Sequence, residues 1–560
     1  MIEPFTSPFL AETHVVENQP PPLQDYNAYQ QDAALMEALA REGAAWAQPE
    51  LQSFGAQTGS REVIELGFQA NENKPVLYTH DNYGHRIDEV RFHPAYHRLM
   101  QISMENGLHA SHWRDPQPGA HVARAAMSYL QGQVDAAHGC PVTMTSAVVP
   151  ALLQQPDLAA QWLPKITALG YDPRNIPMEQ KSAITVGMAM TEKQGGSDVR
   201  ANTVRAHALG GPGAGGPGQA YELVGHKYFV SAPMCDAFLV LAQTESGLSC
   251  FWLPRWRPDG TKNPMQIQRL KNKMGNVANA SCETELRGAW AQMVGPEGRG
   301  VATILKMVTM TRFDCMIGSS SGMRQAVAQA LHHCHYRAAF GKRLVEQPLM
   351  QNVLADLVIE HEAALVLTMR IGRALDAGEA SEHEKMLVRV GTAVGKYWIC
   401  KRTPAHAYEA MECIGGSGVM EDCIMPRLFR ESPVNSIWEG SGNVQCLDML
   451  RAMSRSPGSV EAYMDEVQAA AGTDRRLDQY VARLGAELVD PSAIEYRARG
   501  IVEKMALALQ GSLLVRHGNP AVADAFCASR LGEHYSGLTF GNLPRGADCA
   551  TIIARATPKI

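Results

Sequence analysis

A change of period in the middle of the chain limits the fold more than any other feature. Between about Ile184 and Val294 the sequence breaks into short runs, YELVGHKYFVSA, AFLVLAQT and LSCFWLP among them, bounded by glycine and proline. Runs of this kind read as strands of an antiparallel sheet or barrel. From about Asp32 to Leu169, and again from Gly300 to about Arg455, small and apolar residues recur at three and four positions, the spacing of helices that bury one face. The break SRSPGS, Ser454 to Ser459, opens a last helical block. The expected architecture is mainly α with a central β domain. It divides into an N-terminal helical domain over 1–183, a β-barrel-like domain over 184–296, a helical bundle over 297–453 and a C-terminal helical domain over 454–560. The triple proline in NQPPPLQDYN, Asn18 to Asn27, stiffens an extended lead-in.

Composition narrows the class. With 45% hydrophobic and 19% charged residues over 560 positions, the chain is globular, with material for several domains and a large core. A formal charge of −6 gives no global pull toward nucleic acid, so any such binding has to come from a local patch. The 12 cysteines are scattered with no Cys-x-x-Cys pair, which points to reduced thiols and a cytoplasmic protein. The start of the chain, with Glu3 and Glu12 and no basic residue, does not read as a signal peptide, and no apolar run is long enough for a membrane span.

Three motifs are set aside. Gly211, Gly213 and Gly216 satisfy G-x-G-x-x-G, but Pro212, Pro217 and the strand-like run after them leave no helix to receive a pyrophosphate, so the stretch is expected to be a hairpin loop. In HHCH, only His332 and His335 share a helix face, which is too little for a metal, and no metal is expected. RTPAHAYEAMEC, Arg402 to Cys413, lacks the context of a nucleophilic thiol and reads as packing.

Two stretches carry chemistry. In AMTEKQGGSDVRA, Thr191 and Ser197 flank a carboxylate and a glycine pair that lets the backbone approach a ligand, although a turn with capping residues fits equally. In SIWEGSGN, Ser436 to Asn443, Glu439 sits between an aromatic and a flexible run; alone it reads as a solvated loop residue.

Taken together with ECIGGSGVMEDCIMPRLFRE, Glu412 to Glu431, the first of these stretches resembles the paired signatures of the acyl-CoA dehydrogenase family, in the right order and about 220 residues apart. The resemblance implies the acyl-CoA dehydrogenase fold and an FAD cofactor. It places Met190, Thr191, Gly196, Ser197, Phe229 and Ser231 at the flavin, with Glu412, Gly415, Gly416, Ser436, Ile437, Trp438, Ser441, Gly442 and Asn443 also at FAD. Arg337, Phe340 and Gln347 would reach the FAD of a neighbouring subunit, which implies a homo-oligomer, commonly a tetramer. Glu439 falls where the family has its catalytic base, and Trp438 is expected to desolvate it; the alternative base position, before Arg312, holds Thr311. Phe229 stands in place of the usual tryptophan, Ser231 and Ser441 in place of threonines, and Glu412 in place of glutamine, so turnover is expected to be weaker than binding.

MTEKQGGSDV, KNKMGNVANASCE and ESPVNSIWEGSGN, with the added C-terminal block, resemble the alkylation-response, AidB-type branch of this family. That branch implies double-stranded DNA as a partner, bound through the C-terminal domain and protected from alkylation, with weak acyl-CoA oxidation of the isovaleryl type. The candidate phosphate contacts are Arg451, Arg475, Arg476, Arg497, Arg499, Arg516 and Arg530, although solvated helix faces account equally for their charge. The alternative is a metabolic dehydrogenase acting on branched or medium acyl-CoA esters.

Overall fold

The computed structural model describes residues 13–211, 213–378, 380–532 and 539–559. Glu3, Glu12 and Pro212, used above, lie outside the described residues.

The N-terminal region is helical where the period predicts it, as in Ala120–Gly132, but it also contains a hairpin that the helical assignment misses. Strands β1 (Val76–His80) and β2 (Arg86–Arg91) pair antiparallel around a turn at Asp81–Gly84. Their alternation is short and half-exposed, so the apolar period that flags helices carries no trace of it.

The central block is a seven-stranded sheet: β3 (Val186–Ala189), β4 (Arg205–Ala208), β5 (Ala220–Ser231), β6 (Ala237–Thr244), β7 (Gly247–Pro254), β8 (Met265–Leu270) and β9 (Ser281–Val294). The order runs β3-β6-β4-β5-β9-β7, with β8 on β9, and β7 pairs back onto β6, so the sheet closes on itself. The expectation of an antiparallel sheet needs correction, since β3 and β4 both pair parallel with β6. The glycine-rich loop joins the antiparallel strands β4 and β5, as expected of a hairpin connection.

Three long helices follow, Gly300–Tyr336, Pro348–Ala377 and Glu382–Ile414. The first of them belongs to two cores. Its early residues Ile304, Met307, Val308 and Met310 pack with the sheet, whereas Phe313, Met316, Ile317 and Met323 pack with the bundle and the N-terminal helices. The junction falls at Thr311 and Arg312.

The C-terminal block does not pack as a separate body. Leu477, Ile501, Met505 and Phe526 are part of the same buried cluster as the long helices. Buried charges bolt the two together: Arg530 pairs with Asp356 at 2.5 Å and with Glu360 at 3.2 Å, and Glu466 takes Arg370 at 2.6 Å and Arg516 at 2.7 Å. Burial alone would raise the Glu360 carboxyl; the Arg402 and Arg530 guanidiniums overcome that and hold it at about 2. An unfolded glutamate titrates near about 4.3, so this contribution to stability is complete above that value and is lost as pH falls through the folded value. Arg530→Met is expected to cost about 3–5 kcal/mol in urea unfolding at pH 6. The gap to the parent protein should narrow as the pH is lowered toward 3; a gap independent of pH would remove the carboxylate pairing as its cause.

Candidate functional site

One cavity of about 1640 Å³ lies at the junction of the two cores, walled by the N-terminal helices, the sheet, the first long helix and the segment 433–456. Its centre is the turn that carries Glu439.

That turn is held by cations acting on the backbone. Glu439 is left-handed, with φ +57, an arrangement that costs a non-glycine residue about 1–3 kcal/mol. The buried Lys396 donates to the carbonyl of Trp438 at 2.7 Å and to that of Gly440 at 2.6 Å, while Arg312 Nε donates to the carbonyl of Glu439 at 2.9 Å. Hydrogen bonds from charged donors contribute about 1.5–3 kcal/mol each, which exceeds the backbone cost. Arg312 is held in turn by Asp448 at 2.7 Å, and Asp448 also pairs with Arg389 at 2.8 Å. Gly440 cannot be replaced cheaply: its φ is +101, and a Cβ there would lie 2.8 Å from Gln445 Nε2.

The Glu439 side chain faces the cavity. Thr311 Oγ1 donates to Glu439 Oε2 at 2.8 Å, so the residue at the alternative base position supports the carboxylate instead of replacing it. Burial pushes the Glu439 carboxyl up from the ordinary glutamate range; the Thr311 hydrogen bond and the charges of Lys396 and Arg312 hold back part of the rise. Trp438 lines the same cavity and donates from its indole to Asn435 Oδ1 at 3.1 Å.

The opposite wall is the loop after β3. Its carboxylate Glu192 is buried and accepts from Lys227 Nζ at 2.9 Å and from the Thr203 amide at 2.6 Å. Tyr228 N donates to the Thr191 carbonyl at 2.8 Å, so the loop is stitched to β5 beside Phe229. Met190, Thr191, Gly196, Ser197, Phe229 and Ser231 therefore share the cavity with Ile437, Trp438, Glu439 and Ser441, although the two groups are more than 200 residues apart in sequence. The donor set suits a planar, polar-edged ring: hydroxyls from Thr191 and Ser197, an aromatic and two methionines, and a glycine whose added Cβ would crowd Thr191.

Other expected residues lie elsewhere. Ser436 turns its hydroxyl to the Pro433 carbonyl, Gly442 packs against Lys401 and Tyr397, and Asn443 is exposed. Glu412, Gly415 and Gly416 are exposed at the end of the third long helix. Arg337 and Gln347 spend their hydrogen bonds on the Asn18 and Ala339 carbonyls, and Phe340, at a hairpin tip, is 98% exposed. None of these nine lines the cavity of its own chain. His332 bonds the Pro21 carbonyl, His406 bonds the Leu357 carbonyl, and burial pushes the Cys413 thiol up.

The seven arginines do not make one free patch, which corrects part of what the resemblance implied. Arg530 is 3% exposed and bound to carboxylates, so it is withdrawn as a phosphate contact. Arg476 pairs with Asp474 and Asp524, Arg497 with Asp490, and Arg516 with Glu466. Arg451 stands at the cavity rim. Arg475 and Arg499 are exposed, the latter against the Tyr397 hydroxyl. Lys396, Arg312 and Gln445 escaped sequence reasoning because nothing in their local pattern distinguishes them from ordinary helix residues.

A helical, barrel, bundle order in which Glu439 shares a cavity with the loop after β3 is the arrangement that the resemblance to the acyl-CoA dehydrogenase family implies. The comparisons with known proteins agree. Residues 18–173 match the adaptive response protein AidB N-terminal domain, 187–289 the acyl-CoA dehydrogenase middle domain and 298–454 the acyl-CoA dehydrogenase C-terminal domain. AidB of Escherichia coli (strain K12), whose name places it among acyl-CoA dehydrogenases, is 45% identical over 92% of this chain and 94% of its own. The Caenorhabditis elegans ACDH-11 structure in complex with C11-CoA superposes with a TM-score of 0.84 at 28% identity, covering 92% of this chain and 93% of its own. A glutaryl-CoA dehydrogenase of Mycobacterium smegmatis in complex with FADH2 shares the fold at 17% identity and a TM-score of 0.53, over 71% of this chain and 94% of its own. The chain belongs to the acyl-CoA dehydrogenase family. It is an oxidoreductase of that family, with FAD as its cofactor.

Thr311→Val removes a donor that favours the charged form of Glu439. Its carboxyl is expected to titrate at higher pH in the variant, followed by infrared difference spectroscopy, and to return in Thr311→Ser. An unmoved titration would mean that the hydroxyl does not act on the carboxylate.

Proposed function

We propose that this protein oxidises an acyl-CoA ester, with Glu439 as the base that removes the α proton. The observation that carries the proposal is the cavity-facing Glu439 carboxylate, fixed by the Lys396 and Arg312 clamp and bonded to Thr311. FAD, when bound, supplies the acceptor for the β hydride. The chain's own part is to hold the flavin ring with Met190, Thr191, Ser197, Phe229, Ser231 and Ser441, and to keep the carboxylate at the substrate. A base has to be deprotonated to act, so the rate rises with pH through the Glu439 value, which burial places above the free glutamate's. Arg337, Phe340, Gln347, Glu412, Gly415 and Gly416 would meet the FAD of another copy, which makes the working unit a homo-oligomer, with a tetramer as the expected state. Phe229 and the two serines in place of the larger family residues favour modest turnover.

The test is anaerobic mixing of the yellow holoprotein with acyl-CoA esters, isovaleryl-CoA among them. Flavin bleaching is expected in the parent and lost by at least about 10²-fold in Glu439→Gln, with FAD content unchanged. Bleaching at an undiminished rate in the variant would overturn the assignment of the base.

The second reading is duplex DNA as a further ligand, protected from alkylation in the manner of the AidB-type branch. It is supported by the resemblance and by exposed Arg475 and Arg499, with Lys401 near Arg499 and Arg451 at the rim. Binding would be to phosphates, so log K should fall linearly with log salt. Removing Arg475 and Arg499 together should flatten that slope by about 2. An affinity unaffected by salt would exclude this mode.

A further inference from the structure

The cavity has two arms that meet at Glu439, and their chemistry differs. Along the first long helix, the arm running back from Thr311 is lined by Val301, Ile304, Leu305 and Val308; Leu305 is 44% exposed, and Arg451 and Arg455 at its rim are exposed, so this is the mouth. The other arm runs forward past Asp314 and Cys315 to Gly318, seven residues and about 10 Å beyond Thr311. Its lining residues Arg124, Gln131 and His138 are buried, and an acyl tail that places its α carbon at Glu439 and turns away from the mouth would extend toward them.

For a hydrocarbon tail this arm is the wrong solvent. Arg124 is buried and forms a two-pronged ion pair with Asp314, which also accepts from Thr143 Oγ1 at 2.6 Å. Next to them, His138 bonds Ser103 Oγ at 2.9 Å and Asp135 Oδ2 at 2.7 Å. Gln131, 3% exposed, lines the arm and reaches His138 with its amide nitrogen at 3.3 Å, but its Oε1 has no partner among the described residues. The same holds for Ser128 Oγ, one turn earlier on the same helix. Buried polar groups are normally satisfied, so two unsatisfied ones a turn apart on the cavity wall leave bonding capacity open to a ligand. Within this arm the Arg124 charge is already matched by Asp314, and Asp135 stands close by, so the polar groups beside Gln131 favour a neutral ligand group over a terminal carboxylate.

We propose that the acyl group accepted here carries a neutral hydrogen-bonding substituent, such as a hydroxyl, on the carbons beyond β, held by Gln131 and Ser128. This rests on the acyl-CoA reading given above. A site built to bond a substrate hydroxyl rejects the analogue that lacks it far more strongly than a greasy pocket rejects one extra methylene.

Binding is read from the flavin spectrum of the Glu439→Gln holoprotein, which separates affinity from turnover. The probes are 6-hydroxyhexanoyl-CoA and 8-hydroxyoctanoyl-CoA against hexanoyl-CoA, octanoyl-CoA and adipoyl-CoA. A hydroxylated ester is expected to bind at least about tenfold tighter than its plain counterpart, and adipoyl-CoA no tighter than hexanoyl-CoA. Gln131→Leu, or Ser128→Ala where the first variant fails to fold, should erase the preference. Plain esters binding as tightly as hydroxylated ones, or adipoyl-CoA binding tightest, would overturn the inference and leave the acyl-CoA reading standing. If no ester perturbs the flavin, both are overturned.

Discussion

The site depends on one interaction, the grip of Lys396 and Arg312 on three consecutive backbone carbonyls, Trp438 to Gly440. A buried lysine ordinarily demands a carboxylate. Here the nearby carboxylate is Glu439, and pairing the two directly would tie up the group proposed as the base. By spending the ammonium on carbonyls, the fold fixes the left-handed turn and leaves the side chain free to face the cavity, with the Thr311 hydroxyl bonded to it. The nearby positive charges temper the rise in its pKa without cancelling it. Position and proton affinity are thus set by the same residues.

The clamp works because its parts come from elements that cannot move independently. Arg312 lies where the first long helix passes from the sheet's core to the bundle's core, Lys396 lies within the third long helix, and the turn precedes Gly442–Arg455. Lys227 plays a matching part: it holds Glu192 and the Leu241 carbonyl, so the loop after β3 is tied to the sheet. Two buried lysines, each bonded to backbone carbonyl oxygen, make the distance between Glu439 and the loop after β3 a property of the whole scaffold.

Much of this was legible in the sequence because it follows from period and motif. The strand block between two helical regions shows in the switch of spacing, whereas the Thr191 and Glu439 stretches, ambiguous on their own residues, stand out through their resemblance to the acyl-CoA dehydrogenase signatures. The hairpin Val76–Arg91 did not show, since two short half-exposed strands leave no apolar alternation to count. The clamp residues did not show either. Lys396 and Arg312 become special only when three distant segments meet, and local pattern holds no record of that. The arginines of the tail misled for the opposite reason: their charge is visible in sequence, but the carboxylates that consume it come from other helices.

That last point says how the chain uses charge. Arg124 with Asp314, Arg370 with Glu466 and Arg530 with Asp356 and Glu360 all lie where one helical element meets another, and all are buried. Such pairs add little net stability over apolar contacts of the same size, but an unmatched partner is costly, so they penalise any wrong docking of the elements they join. The tail is fastened to the bundle in this way, by charge matching over a continuous apolar core. The Arg124 and Asp314 pair follows the same rule with a second effect. It lies at a seam that opens onto the cavity, so the device that registers the N-terminal helices on the first long helix also makes one arm of the pocket polar. The character of that arm is then a consequence of how the domains are joined, which ties what the protein can bind to how it is assembled.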